Sequence, residues 1–129
     1  MNRAVSARSA PALRWLYHAV PRDVWERAPA TEAYAPRDAH GEGAVFIHAS
    51  YRDAVLESAR LYLPAGSARV IVQIDPRRLG GAVRVAETPR GPMPHIHGSV
   101  PRDAIAQVWA EDALAREIDR APDAVTEPP

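Results

Sequence analysis

Two short segments hold three of the five histidines in this chain. They are Phe46–Ser50, which reads Phe-Ile-His-Ala-Ser, and Pro94–Gly98, which reads Pro-His-Ile-His-Gly. Alternate side chains of a strand lie on one face, so Phe46, His48 and Ser50 would share a surface if the first segment is a strand. An imidazole exchanges protons near neutral pH, and a nearby hydroxyl can orient the group on which it acts. The spacing therefore predicts His48 as a catalytic residue and Ser50 as a binding residue.

Both residues also have a structural interpretation. His48 could be a core histidine that is bonded to a backbone carbonyl. Ser50 precedes Asp53 at the spacing of a capping box, so its hydroxyl could instead cap the helix predicted over Tyr51–Leu63. The sequence leaves both interpretations open.

His18 and Glu87 are further candidates, because each falls near the end of a predicted strand. His18 would face a cleft shared with His48 if the first predicted strand, Leu13–Val20, lies beside the second. Glu87 ends a predicted strand that begins at Val83, and a carboxylate that continues an apolar face needs a partner or a cleft. The alternative is that the strand has already ended and that Glu87 is solvated.

The imidazoles of His95 and His97 would point the same way from a strand, because they are two residues apart. Such a pair can bind a metal ion, but a third ligand must come from elsewhere, and the chain has no H-E-x-x-H or other metal-specific spacing. We therefore expect no metal site. His95 is predicted as a catalytic acid or base and His97 as a ligand-binding residue.

The composition excludes several classes of protein. The chain has 129 residues, of which 47% are hydrophobic, and this predicts one globular domain. All 16 basic residues are arginine and 16 acidic residues balance them, so no net positive field attracts nucleic acid. The lack of cysteine and lysine excludes disulfides, thiolate chemistry and Schiff bases. No Rossmann, P-loop or G-x-S-x-G pattern is present.

No membrane span or signal peptide is expected, so a cytoplasmic protein is the prediction. Strands and short helices that do not alternate regularly predict an α+β fold. We expect a flexible arm at residues 1–11, one domain at 12–112, and a terminal helix and tail at 113–129. Other predicted elements are a short helix after Pro21, a loop over Pro29–Gly43, strands at Val45–Ser50, Val70–Asp75 and Gln107–Ala110, an irregular loop over Thr88–Pro94, and a helix over Glu111–Arg120.

The order of several motifs along the chain resembles the DUF952 family, small bacterial proteins of unassigned function. The motifs are Tyr17-His18, Trp25, Tyr34, Phe46–Ser50, Ile74-Asp75-Pro76, Leu79, Glu87 and Pro94–Gly98. The chain departs from the family pattern twice. Ala44-Val45 stand where Asp-Gly usually precedes Phe-Ile-His, and His97 stands where the family usually has tyrosine.

Members of that family are similar in fold to ADP-ribosyltransferases. The resemblance therefore implies two small split sheets, with short flanking helices, around a cleft that binds NAD in that superfamily. Tyr17-His18 resembles the first element of the His-Tyr-Glu pattern, which holds the nicotinamide ribose. The strand that carries His48 and Ser50 resembles the second element and also the His-x-His strand of RNA 2′-phosphotransferases. On this basis Tyr17, His18 and Ser50 are expected to bind the cofactor, with Glu87 as the acidic residue.

Three functions follow as hypotheses. The first is a transferase or glycohydrolase that acts on NAD or another ribonucleotide, in which His18 and His48 bind oxygens and Glu87 stabilises positive charge on a ribosyl carbon. The second is an NAD-independent enzyme that uses His48, His95 and His97 for acid/base chemistry on a small metabolite. The third is a binding or regulatory module without chemistry. All three predict a small-molecule or nucleotide ligand, and neither a membrane nor a nucleic acid as partner.

Overall fold

The computed structural model describes residues 13–35 and 46–125. The predicted arm at residues 1–11, the part of the predicted loop beyond residue 35, Ala44-Val45 and residues 126–129 lie outside the described residues. No helix in the described part of the chain is long and apolar enough to cross a membrane.

Within these residues the chain folds as an α+β protein, which confirms the predicted class. The strands are β1 (Leu16–Pro21), β2 (Ile47–His48), β3 (Arg69–Ile74), β4 (Val83–Thr88), β5 (Gly91–Ile96) and β6 (Ile105–Ala110). The α-helices are α1 (Arg22–Arg27), α2 (Val55–Tyr62) and α3 (Glu111–Glu117), and short 3-10 helices lie at Pro76–Arg78 and Arg102–Ala104.

The first sheet is antiparallel, and β3 is its central strand between β1 and β6. Residues Val70–Ile74 are all buried, as a dense apolar run predicts for a strand that is covered on both faces. Alternation sends Val72 into one core and Ile71 into another, on opposite faces of the sheet. α2 and α3 cover the second face through Val55 and Leu114.

The second sheet has β5 as its central strand, between β4 and the two-residue β2. The irregular loop predicted over Thr88–Pro94 from its prolines is therefore wrong. Along a strand, the backbone N–H groups of successive residues point to opposite edges. The His97 N–H donates to the Ala82 carbonyl, on the side of β4. Even-numbered residues of β5 point the other way, so the backbone nitrogens of Pro92 and Pro94 face β2. Since β2 is short and Ala49 donates its own N–H to the Pro94 carbonyl (3.1 Å), the ladder does not need the N–H groups that proline lacks.

The two sheets are joined by one backbone bridge. The N–H groups of Tyr17 and Ser50 each donate to the carbonyl of the other residue at 2.8 Å. Among the described residues no other backbone pairing connects β1 with β2. The sheets therefore part on either side of this bridge, and a cleft opens where they part.

The capping box predicted at Ser50 and Asp53 is wrong. α2 begins at Val55, and Ala54 before it provides no side-chain cap. The residues between Ser50 and Ala54 form a turn. The backbone of Ser50 continues the line of β2 instead, because it is held by the bridge to Tyr17.

Part of the predicted tail packs against the start of β1. The Trp15 N–H donates to the Asp123 carbonyl (2.8 Å), and the Val125 N–H donates to the Leu13 carbonyl (2.9 Å). Arg14 forms an ion pair with the Asp123 carboxylate at 3.0 Å. The folded unit therefore includes the C-terminal segment as far as Val125.

Candidate functional site

A cleft with a volume of about 830 Å³ lies where β1 and β2 part. Its size is within the range of small-molecule sites, and most of its wall is apolar. The polar side chains that line it include His18, His48, Ser50, Ser58, Arg90 and His95. No Asp or Glu among the described residues lines this cleft.

His48 and His95 stand side by side in the wall, because their residues are partners in the register of β2 and β5. Their ring centroids are 5.1 Å apart, and the rings meet edge to face. Phe46 lies on the same surface, stacked on His95 at 4.1 Å and edge-on to His48 at 4.7 Å. The structure thus places Phe46, His48 and Ser50 together at the cleft, as the alternation of a strand predicts.

The electrostatics of this pair favour a neutral His95. Burial lowers the pKa of His95 below its usual value, and the positive charges that His48 and His97 can carry lower it further. A protonated His48 therefore disfavours protonation of His95. The neutral form of His95 keeps a free lone pair, which a general base needs in order to accept a proton.

His18 uses both of its ring nitrogens inside the protein. Nδ1 lies 2.6 Å from the His48 carbonyl oxygen and must donate to it, because a carbonyl only accepts. Nε2 is then the unprotonated nitrogen, and it accepts a hydrogen bond from the Tyr34 hydroxyl at 3.0 Å. Burial lowers the pKa of His18 to about 4, so the ring is neutral at pH 7. His18 lies in the cleft wall but holds the backbone of His48, and it offers no nitrogen to a ligand.

Tyr34, which donates to His18 Nε2, is itself held in place by its neighbours. Its side chain is fully buried, and burial raises the pKa of its hydroxyl, so it remains a donor. Trp25 packs against it with ring centroids 5.0 Å apart, and the Arg102 guanidinium lies 5.8 Å above the ring. The Tyr34 backbone pairs with Val100 through two hydrogen bonds of 2.8 Å.

The other two residues expected to bind a cofactor are Tyr17 and Ser50. The Tyr17 hydroxyl donates to the Pro122 carbonyl, and burial raises the pKa of this hydroxyl to about 12. It is therefore a structural donor that secures the C-terminal segment. The Ser50 hydroxyl is in the cleft wall, where it bonds to the Ser58 hydroxyl at 3.0 Å.

Glu87 and His97 are not among the residues that line the cleft. Glu87 pairs with Pro92 across β4 and β5, while His95 pairs with Arg84, so the alternation of side chains puts Glu87 on the face opposite His95. His97 shares the face of His95, and its ring lies 5.5 Å from that of Phe46. The structure brings His18, His48 and His95 together and leaves Glu87 outside.

Ser58 and Arg90 are among the polar residues of the cleft that were not predicted from the sequence. Ser58 lies on α2, and Arg90 lies in the turn that joins β4 to β5. Arg90 Nη1 donates to Ser58 Oγ at 3.2 Å. No sequence signal places these two residues together, because they are 32 residues apart and belong to no common motif.

In residues 13–35 and 46–125, no three His, Asp or Glu side chains come together as a metal site would require. The ring of Phe46 contacts the rings of His48, His95 and His97, so these side chains form an aromatic cluster in this structure.

The fold and the cleft define a class of small α+β protein with two three-stranded antiparallel sheets that are joined at one bridge. The family model described as "Protein of unknown function (DUF952)" matches residues 19–108, and the chain belongs to this family. The crystal structure of protein CC0527 from Caulobacter crescentus is similar, with a TM-score of 0.66 at 18% identity, over 81% of this chain and 98% of that one. A double mutant of the same protein has a TM-score of 0.66 at 17% identity, with the same coverage. None of the curated proteins matches this chain.

Proposed function

We propose that this protein is an enzyme that carries out acid/base chemistry on a small anionic molecule, with His48 and His95 as its proton-transferring groups. The observation that carries the proposal is the pairing of these rings at 5.1 Å in the wall of a ligand-sized cleft. A positive charge on His48 lowers the pKa of His95, so His95 favours the neutral form that a general base needs. The charged side chain in the same wall is Arg90, which favours an anionic substrate.

We assign a separate role to each ring. His95 is the base, because burial and its histidine neighbours lower its pKa and leave a lone pair available. His48 is the acid, and it is the more exposed of the two rings. The stack on Phe46 orients His95, while the hydrogen bond from His18 holds the backbone of His48. His18 is thus a positioning residue in this proposal.

A ribonucleotide remains a candidate substrate. A cleft that opens between two joined small sheets supports the ADP-ribosyltransferase-like interpretation of the fold, and Arg90 with two serine hydroxyls suits a nucleotide phosphate. NAD would fit this donor set through its pyrophosphate. Transfer of the ribosyl group, however, builds positive charge that a carboxylate normally stabilises. Glu87 lies on the opposite face of the sheet, so we do not assign ribosyl transfer to this cleft.

The test is to incubate the purified protein with a bacterial metabolite extract, and separately with NAD and ADP-ribose, and to follow all masses with time. Wild type should convert at least one anionic metabolite. Each of His48→Gln and His95→Gln should slow that conversion by about 100-fold to 10,000-fold, because a positioned acid or base contributes about that much. The rate should also have a bell-shaped dependence on pH.

His97→Gln is the matched control, because His97 shares the face of His95 but does not line the cleft. It should retain most of the activity. Identical mass profiles for wild type and a His48→Gln/His95→Gln double variant would overturn the proposal and favour a binding module. Release of nicotinamide from NAD would instead revive the ribosyl-transfer hypothesis.

A further inference from the structure

We propose that Arg90, the Ser50–Ser58 hydroxyl pair and Tyr62 form an anion-binding subsite, which takes the phosphate or carboxylate group of the substrate. The four side chains all line the cleft and belong to three separate parts of the chain. The inference deepens the proposed function, because it rests on the cleft being the substrate site.

Hydrogen-bond geometry leaves the serine pair with a proton to donate. Ser58 Oγ accepts from Ser50 Oγ at 3.0 Å and from Arg90 Nη1 at 3.2 Å. Two hydroxyls carry two protons, and the bond between them uses one. The hydrogen bonds within the described residues do not use the other proton, and the Ser58 oxygen that carries it is the one that accepts from Arg90. The Arg90 guanidinium carbon also lies 5.7 Å from the centroid of the Tyr62 ring.

Glu57 leaves the cleft side of Arg90 positively charged. Its Oε1 atom accepts from Arg90 Nε (3.1 Å) and Nη2 (2.8 Å), so it occupies one edge of the guanidinium. Glu57 is exposed and does not line the cleft, whereas Ser58, on the other edge, does. The Glu57 carboxylate accepts from Nε and Nη2, whereas Nη1 donates to the neutral Ser58 hydroxyl and has no carboxylate partner among the described residues.

The backbone of Arg90 is held in place before any ligand arrives. The Arg90 N–H donates to the Thr88 hydroxyl oxygen at 3.1 Å, and that hydroxyl donates to the Gly91 carbonyl at 2.8 Å. Gly91 has φ of +100°, which completes the tight turn between β4 and β5. A fixed turn reduces the conformational entropy that ligand binding would cost.

The remaining wall indicates the rest of the ligand. Val20, Leu63, Met93 and the ring of Phe46 also line the cleft. Such a wall stabilises an apolar or aromatic body rather than a sugar chain. The substrate class is therefore an organic phosphate or carboxylate with an apolar or aromatic portion that reaches the two histidines.

Phenyl phosphate and benzoate are suitable anionic probes, and benzyl alcohol is an uncharged aromatic control of similar size. Amide chemical shifts in a titration with each probe, up to tens of millimolar, give the dissociation constant and locate the contact. We expect both anions, but not the alcohol, to shift the amides of Ser58, Arg90 and Gly91. Tighter binding of phenyl phosphate would indicate phosphate as the natural group, and tighter binding of benzoate would indicate carboxylate.

Two variants separate a ligand role of Arg90 from a structural one. Arg90→Gln should weaken binding of the anions roughly ten- to hundred-fold, the loss expected for a charge-assisted hydrogen bond. Glu57→Gln removes the same ion pair but keeps the cation, so it should bind the anions as tightly as wild type or more tightly. Equal effects of both variants on binding would overturn the subsite, as would the absence of any binding by the anions.

The test is independent of the proposed chemistry. His48→Gln should bind the anionic probes as wild type does, since it leaves the subsite intact. If binding depends on Arg90 while the histidine variants leave conversion of metabolites unchanged, the subsite stands and the acid/base proposal fails. If conversion needs the histidines but Arg90→Gln binds and reacts normally, the acid/base proposal stands and the subsite fails.

Discussion

Acid should destabilise this protein through His18, and a single substitution isolates the effect. The buried ring donates to the His48 carbonyl and accepts from the Tyr34 hydroxyl, so the folded protein stabilises its neutral form. Burial lowers the pKa of His18 from 6.5 to about 4. In the unfolded chain the ring returns to its ordinary value and binds a proton more readily.

The sign and size of the effect follow from this difference. Between about pH 6.5 and about pH 4 the unfolded chain binds a proton that the folded chain excludes, so the free energy of unfolding falls as the pH falls. The His18 contribution is complete above pH 6.5 and is lost as the pH approaches 4. Since one pKa unit corresponds to about 1.4 kcal/mol, His18 accounts for a loss of about 3 kcal/mol.

Urea unfolding, followed by tryptophan fluorescence from about pH 7.5 to about pH 4, measures this loss. His18→Gln cannot titrate, so its unfolding free energy should depend less on pH than that of wild type, by about 3 kcal/mol over this interval. His95 also has a lowered pKa and acts in the same direction, but it is present in both proteins and cancels in the comparison. Equal pH dependence in the two proteins would refute a buried, neutral His18.

Three further substitutions test two buried hydrogen-bond networks and one turn through urea unfolding. Tyr34→Phe should lower the free energy of unfolding by about 1–3 kcal/mol, because His18 Nε2 loses its donor in the interior; unchanged stability would contradict this buried hydrogen bond. Asp75→Ala should cost about 2–3 kcal/mol, because the buried carboxylate accepts three hydrogen bonds from Arg77, and a loss below the error of measurement would contradict that network. Gly91→Ala should cost about 1–2 kcal/mol, because φ of +100° strains a residue with a side chain, and a neutral effect would indicate a different turn.

The first sheet and the helices that cover it follow from local sequence patterns. The run Val70–Ile74 is apolar at every position except Gln73, and such a run has few alternatives to a strand that is covered on both faces. The short helix after Pro21 and the terminal helix also form near their predicted positions, with bounds Arg22–Arg27 and Glu111–Glu117. These elements depend on the local spacing of apolar residues, which can be read from a single sequence.

The central strand of the second sheet, β5, could not be predicted in this way. Proline at positions 92 and 94 argues against a central strand unless the missing N–H groups face a partner that does not need them. That condition depends on how short β2 is and on the edge to which each residue points. Likewise, Ser58 and Arg90 meet only because the β4–β5 turn packs against α2. The candidate site was therefore only partly predictable: its two strand histidines follow from alternation, whereas its cationic end depends on tertiary packing.

The histidines predicted as site residues are of two physical kinds, which the sequence does not distinguish. His18 is buried with both nitrogens satisfied, and its hydrogen bond reaches across the split between β1 and β2 to the backbone of His48. His48 is exposed in the cleft, and its ring touches other aromatic rings. A substitution at His18 must therefore alter stability and its pH dependence first, and chemistry only through the position of β2. A substitution at His48 should alter chemistry with little change in stability, because an exposed ring loses few contacts. If both substitutions abolish conversion, only the stability measurements can separate positioning from catalysis.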